Sequence, residues 1–254
     1  MTKVQSNSHI SKISILLTAT IDPKGVVLVQ RNEPVVREND YISSIRRWTE
    51  TDITDISSIV FCENSGYNLD KIKTLLANYS TLEAEVLQFS GQGYAKELGK
   101  GYGELLILRH AIQHSNLIKN SDYVIKITGR YFIKNISKIT SPLMKENNIF
   151  VMADLKRNLT WADSHVFAFK PLFVLNYLSE FQDLLNDSKG FYFEHALARA
   201  ILRSIADGYK WIPLPSKPII SGYYATADVP YKTSKIHWLP REAIHRVKNY
   251  LNRR

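Results

Sequence analysis

The chain has 254 residues, 44% of them hydrophobic and 11% aromatic, which is enough to bury one sizeable core and too apolar for a disordered chain. Its formal net charge of +9 favours anionic partners: nucleic acid, phosphorylated substrates or an acidic membrane face. Its single cysteine, Cys62, excludes an intrachain disulfide. The polar first residues lack the apolar stretch of a signal peptide, and no apolar run reaches the ~20 residues of a membrane span, so a soluble cytoplasmic protein is expected.

Residues 13–21 (ISILLTATI) read as a buried strand that ends at the turn signal Asp22-Pro-Lys-Gly25. Residues 38–50 carry Tyr41, Ile42, Ile45 and Trp48 at helical spacing, and 56–62 form a second apolar strand containing Cys62. A helix over 69–79, a strand over 83–89, a long helix over 102–118 and a strand over 123–128 follow. In the long helix Leu105, Leu106, Leu108, Ala111 and Ile112 are expected to point inward. Alternation of this kind predicts an α/β fold with a mostly parallel sheet and helices on both faces. Beyond Pro142, strands at 148–153 and 166–169 flank a polar segment, 154–164. Helices are expected at 171–186 and 193–206, short strands and turns at 210–231, and a basic terminal helix at 240–254. No linker interrupts the pattern, so one domain over 1–254 is expected, with a ligand-binding half (1–140) and a second half (141–254).

In an open α/β sheet, ligands bind beyond the carboxyl ends of the parallel strands. That rule selects Thr18-Ala19-Thr20, Glu63-Asn64-Ser65-Gly66, Ser90-Gly-Gln-Gly93 and Thr128-Gly129-Arg130. The segment Gly99-Lys100-Gly101-Tyr102-Gly103-Glu104 adds glycines ahead of a helix, an arrangement that suits a phosphate as well as it suits a plain flexible connection. Lys126 is the sharpest feature. It interrupts an apolar strand, where a lysine is costly unless it meets an anion. Alternation places Thr128 on its side of the strand. With Arg130 it could clamp a diphosphate, or it could form a structural ion pair with Glu63 or Asp154. Glu194, among aromatics at a helix start, and Asp163, before an apolar strand, are the candidate general bases. No zinc site and no serine nucleophile elbow are expected.

On the opening strand with Arg37-Glu-Asn-Asp-Tyr-Ile-Ser-Ser-Ile45, on Lys100-Gly-Tyr-Gly-Glu104, and on Tyr123-Val-Ile-Lys-Ile-Thr-Gly-Arg-Tyr131, the chain resembles bacterial GT-A-fold glycosyltransferases of surface-polysaccharide and lipopolysaccharide assembly. The resemblance implies a GT-A-like (Rossmann-like) sheet, a nucleotide-sugar donor and a saccharide or lipid-linked acceptor. It places Thr18, Ala19 and Thr20 by the base or ribose, with Glu63 and Asn64 nearby, and Lys100 and Glu104 by the diphosphate or donor sugar. Glu194, then Asp163, match the base of inverting members. Many such enzymes hold a divalent metal with an Asp-x-Asp motif. Here Thr128-Gly129-Arg130 stands in that place, so no metal or other cofactor is expected, and Lys126 with Arg130 would stabilise the leaving diphosphate.

A sugar nucleotidyltransferase ranks lower, because Thr18-Ala-Thr-Ile-Asp-Pro23 is not a glycine-rich loop. A non-enzymatic nucleic-acid-binding protein ranks lower still, since the basic residues are dispersed and no recognition motif occurs. The basic stretch Arg241–Arg254 suits either peripheral contact with the inner face of a membrane or a solvated terminal helix.

Overall fold

The computed structural model describes residues 11–26, 29–78, 82–223, 238–240, 242–245 and 247. Three strand–helix units open the chain: β1 (Ile13–Ala19), α1 (Pro34–Glu50), β2 (Ser58–Glu63), α2 (Asp70–Ala77), β3 (Glu83–Gln88) and α3 (Gly99–His114). A short α4 (Asn116–Lys119), β4 (Tyr123–Thr128), β5 (Phe132–Ile133), α5 (Ile136–Lys145) and β6 (Ile149–Met152) follow. Then come β7 (Leu155–Lys156), β8 (Trp161–Ala162), β9 (Val166–Phe169), α6 (Leu172–Asn176), α7 (Phe193–Ala206), β10 (Lys210–Ile212) and β11 (Ile220–Ser221).

The main sheet has seven strands in the order β10-β6-β9-β4-β1-β2-β3. β1 runs parallel to both neighbours, with Ile15 beside Ile59 of β2 and beside Ile125 of β4. β9 is antiparallel to β4 and to β6. The expected mostly parallel, helix-flanked α/β architecture is therefore the one observed. All seven residues of β1 are buried, as a strand covered on both faces requires. Ile13, Ile15 and Leu17 pack on the face that also holds Trp48, Ile72 and Ile139. Leu16 and Val124 pack on the opposite face with Leu105, Leu108, Leu197 and Ile201. Lys126 pairs opposite Leu16 and two residues from Val124, so it points to the face covered by α3. Cys62 lies on that same face, buried, with its thiol 3.8 Å from the Ile107 carbonyl.

Several boundaries differ from the sequence expectation. α3 begins at Gly99, so the glycine run forms its first turn instead of a loop ahead of it. The helix breaks at Ser115, whose hydroxyl accepts the Ile118 N–H at 3.0 Å and starts α4. Ile107 is buried in place of Leu106, sharing its face with Ala111 four residues on. The helix expected over 171–186 stops at Asn176 and continues as 3-10 turns over Leu178–Leu184. The polar segment 154–164 is a small hairpin, β7–β8, turned by Arg157, Asn158 and Leu159 at φ of 51°, 53° and 65°. Most of the terminal helix expected over 240–254 lies outside the described residues; 238–240, 242–245 and 247 are helical. No helix among the described residues is long and apolar enough to cross a membrane.

Candidate functional site

A cleft of about 170 Å³ opens at the carboxyl ends of β1 and β4. Thr18, Ala19, Thr20, Lys100, Glu104, Lys126, Thr128, Arg130 and Glu194, all selected from the sequence, line it. Glu63, Asn64, Gly129 and Asp163 do not.

Behind the cleft, Glu63 is buried and turned toward backbone. Its Oε1 accepts N–H bonds from Ile21 at 3.0 Å and Ser65 at 2.9 Å, and its Oε2 accepts from Gly66 at 3.1 Å. Asn64 Oδ1 accepts the Thr20 hydroxyl at 2.7 Å. Both residues therefore shape the loop after β1 from behind the cleft, and neither lines it, where the resemblance implied a place near the base or ribose. Arg37 of α1, which the sequence reading did not select, completes that loop. Its Nε donates to the Thr20 and Ile21 carbonyls at 2.8 and 3.1 Å, and its Nη1 to the Arg31 carbonyl at 2.9 Å. Burial, and then the charge of Arg130, lower the proton affinity of the Arg37 guanidinium.

Lys126 is buried, with Nζ 2.8 Å from Glu104 Oε1, 2.7 Å from the Ser164 carbonyl and 3.2 Å from Thr128 Oγ1. The ion pair anticipated with Glu63 or Asp154 is thus made with Glu104, which α3 presents to the same face. Lys126 is not a free cation for a ligand. Arg130 differs. It is buried, its Nη1 stands 4.0 Å from Asp40 Oδ2 and 3.4 Å from the Tyr223 carbonyl, and its Nε has no hydrogen-bond partner. Asp40 is already held by Arg31 at 2.6 and 2.8 Å. Gly129 makes the approach possible: its N–H reaches the Thr18 carbonyl at 2.9 Å, and a Cβ there would stand 2.7 Å from that carbonyl oxygen.

At the opposite end, the N-terminus of α3 is filled by the protein's own anion. Asp187 is buried, and its Oδ2 accepts the Gly101 N–H at 3.5 Å. A Cβ on Gly99 would overlap that carboxylate, and one on Gly101 would stand 3.0 Å from the Phe193 nitrogen. The glycines therefore admit the 187–193 segment, and the phosphate seat suggested by Gly99–Gly103 is occupied. Lys100 stays exposed at the rim. Burial raises the Asp187 carboxyl above its ordinary value against the opposing N–H bonds of Gly101 and Lys100. Burial, then Asp187, push the neighbouring Tyr94 phenol up to about 12.

Residues 163–165 organise a third wall. Ser164 Oγ donates to Glu194 Oε1 at 2.6 Å. Glu194 sits in the first turn of α7, where a carboxylate is favoured by the helix dipole. Asp163 is spent on its neighbours: Oδ2 is 2.7 Å from Lys156 Nζ, and Oδ1 is 2.5 Å from His165 Nδ1. Burial favours a proton on Asp163, yet His165 and Lys156 outweigh it and hold the carboxyl far below its ordinary range. Asp163 does not line the cleft and is paired with Lys156 and His165; through that pair it orients His165, which does line the cleft. The Asp-x-His spacing was the available signal for that pair.

Three buried polar atoms without a partner, Thr18 Oγ1, Arg130 Nε and Asp187 Oδ1, belong to residues lining this one cleft. Unsatisfied buried groups are rare in folded proteins, and their convergence marks a place for a polar ligand. The charges of the cleft are grouped: Arg130 lies near Arg37, and Asp187 near Glu194, with the exposed Lys100 beside Asp187 at the rim. Among the described residues no three His, Cys, Asp or Glu side chains could hold a metal ion. His110 and His114 do stand four apart on α3, a spacing the sequence reading overlooked. Their rings stack 4.2 Å apart, with His114 Nδ1 2.9 Å from the His110 carbonyl.

No protein-family model and no curated protein matches the chain. Solved structures do resemble it. One is the 4-diphosphocytidyl-2C-methyl-D-erythritol synthase of Anaerococcus prevotii, at 13% identity and a TM-score of 0.46 over 92% of this chain and 96% of that one. Another is the inositol-1-phosphate CTP transferase of T. maritima, at 13% identity and a TM-score of 0.45 over 95% and 98%. A third is the glucosyl-3-phosphoglycerate synthase of Mycobacterium tuberculosis, at 10% identity and a TM-score of 0.42 over 96% and 80%.

Proposed function

We propose that the chain transfers a sugar from a nucleotide-diphosphate sugar to a saccharide or lipid-linked acceptor, of the kind used in surface-polysaccharide assembly. One observation carries this reading. Three of the buried polar atoms without a hydrogen-bond partner among the described residues, Thr18 Oγ1, Arg130 Nε and Asp187 Oδ1, belong to residues of one cleft that carries side chains of both signs, and a nucleotide sugar has a diphosphate and a polyol to match them. Arg130 takes the role first given to Lys126 and Arg130 together. Lys126 instead fixes Glu104 and the Ser164 carbonyl along the floor.

In an inverting transfer, an acceptor hydroxyl attacks the anomeric carbon while the bond from that carbon to the diphosphate oxygen breaks. The hydroxyl proton passes to Glu194, and the departing oxygen gains negative charge beside Arg130. The products are the glycoside, the nucleoside diphosphate and a protonated Glu194. A lipid-linked acceptor would bring the chain to a membrane surface, and the exposed Leu239, Ile244 and Val247 would suit peripheral contact beside the basic residues of 241–254.

The test is a thermal-shift comparison of nucleoside diphosphates, nucleotide sugars and nucleoside triphosphates, since a ligand bound only by the native state raises the melting point. Nucleotide sugars and diphosphates are expected to stabilise the chain. Stabilisation by a triphosphate, with a sugar phosphate displacing pyrophosphate from that triphosphate, would make it a nucleotidyltransferase instead. With the donor identified, Glu194→Gln should lower kcat by about 10²–10⁴-fold while donor KM stays within about twofold. An unchanged kcat excludes Glu194 as the base.

A further inference from the structure

Asp187 was not selected by any sequence motif, yet it is the most constrained carboxylate of the cleft. It lies 3% exposed, one oxygen directed at the Gly101 N–H at 3.5 Å and the other, Oδ1, buried without any hydrogen-bond partner. The carboxylate fits only because residues 99 and 101 lack a Cβ. Leaving a buried acceptor unsatisfied costs free energy, and the cleft is the side from which a partner can arrive, since Asp187 lines it. That partner must donate a hydrogen bond. A phosphate is disfavoured by like charge, because Asp187 and Glu194 together outnumber Lys100 at this end and a carboxylate already occupies the helix N-terminus. A hydroxyl fits, as its proton can turn toward Oδ1 without a change of charge.

We propose that Asp187 is the specificity-determining residue that accepts a hydroxyl of the transferred sugar, so that the anionic end of the cleft reads the polyol and the Arg130 end holds the diphosphate. The inference rests on the nucleotide-sugar reading and names its sugar subsite. It also assigns α3 a new part: the helix N-terminus does not bind the ligand's phosphate but holds in place the carboxylate that reads the sugar.

The experiment measures, by isothermal titration, the affinities of wild type and Asp187→Asn for UDP-glucose, UDP-galactose, UDP-N-acetylglucosamine and GDP-mannose, each against free UDP or GDP. The Asn variant is expected to weaken the bound nucleotide sugar by about tenfold and to leave the free diphosphate within about twofold. Deoxy analogues of the bound nucleotide sugar, titrated against wild type, provide a readout that does not depend on the variant folding. One hydroxyl should stand out, its removal weakening wild type by a similar factor and Asp187→Asn by no more than about twofold. Equal weakening of diphosphate and nucleotide sugar, or no single hydroxyl that matters, overturns the assignment while the nucleotide-sugar reading stands. If wild type binds neither diphosphates nor nucleotide sugars, that reading falls and the assignment with it.

Discussion

A lysine is tolerated inside β4 because a carboxylate comes to meet it. Lys126 and Glu104 form their 2.8 Å pair with the ammonium buried, and a buried pair broken on one side is costlier than a pair replaced on both. Glu104→Gln should therefore destabilise the fold by about 3–5 kcal/mol, while Glu104→Leu with Lys126→Met should recover most of the loss. Urea unfolding of the three proteins checks this, and a double variant no better than the single would show that the charge itself is needed. The cost of burying Lys126 was readable in the sequence, and so was its need for an anion. The partner was not, because Glu104 reaches it only through the rotation of α3 about its axis. Glu63 shows the same limit from the other side. A carboxylate after a strand can face a ligand or its own turn, and residue order does not distinguish them; the N–H groups of Ile21, Ser65 and Gly66 decide it.

Among the elements, the start of α3 departs furthest from expectation. No side chain of its own caps this helix, and Asp187 supplies the acceptor from 86 residues away in sequence. Gly99 at φ 79°, ψ −170° lies in a region that only glycine occupies readily. Gly99→Ala should cost about 2–4 kcal/mol, joining that strain to overlap with the Asp187 carboxylate; a melting temperature within about 2 °C of wild type would contradict the packing described. The long strands and helices were legible because their apolar periods are set by the two covered faces of the sheet. β7–β8 and the 3-10 turns after α6 were not, being too short to display a period, with β8 and the turns placed by packing on α7. Glu194, which lines the cleft, was selectable from its place at a helix start; Asp187, which lines it too, lies in a short turn that gives no comparable signal.

Across the whole molecule, the last described residues are tied to the sheet through Asp154. This buried carboxylate accepts the Leu214 N–H at 3.1 Å and stands 3.5 Å from His245 Nδ1, while His245 Nε2 lies 2.7 Å from the Leu214 carbonyl. Burial pushes Asp154 up to about 6, against the pull of His245. The native state thus holds this proton more tightly than the unfolded chain does. Its contribution to stability is fully present below the ordinary carboxylate range and is lost as pH rises to about 6. Asp154→Asn should remove a slope worth on the order of 2–3 kcal/mol between about pH 4 and 6, measured as urea unfolding free energy at each pH. An unchanged slope would assign the effect to other groups.

The lone sulfur of Cys62, sealed between β2 and α3, has a further consequence. An alkylating reagent can reach it only in molecules whose sheet has come apart locally, and burial keeps it in its unreactive protonated form until then. The rate of its capture is therefore a built-in clock for transient opening of the sheet, and any compound that seats itself across the ends of β1 and β4 must slow that clock by the same free energy with which it holds the closed form.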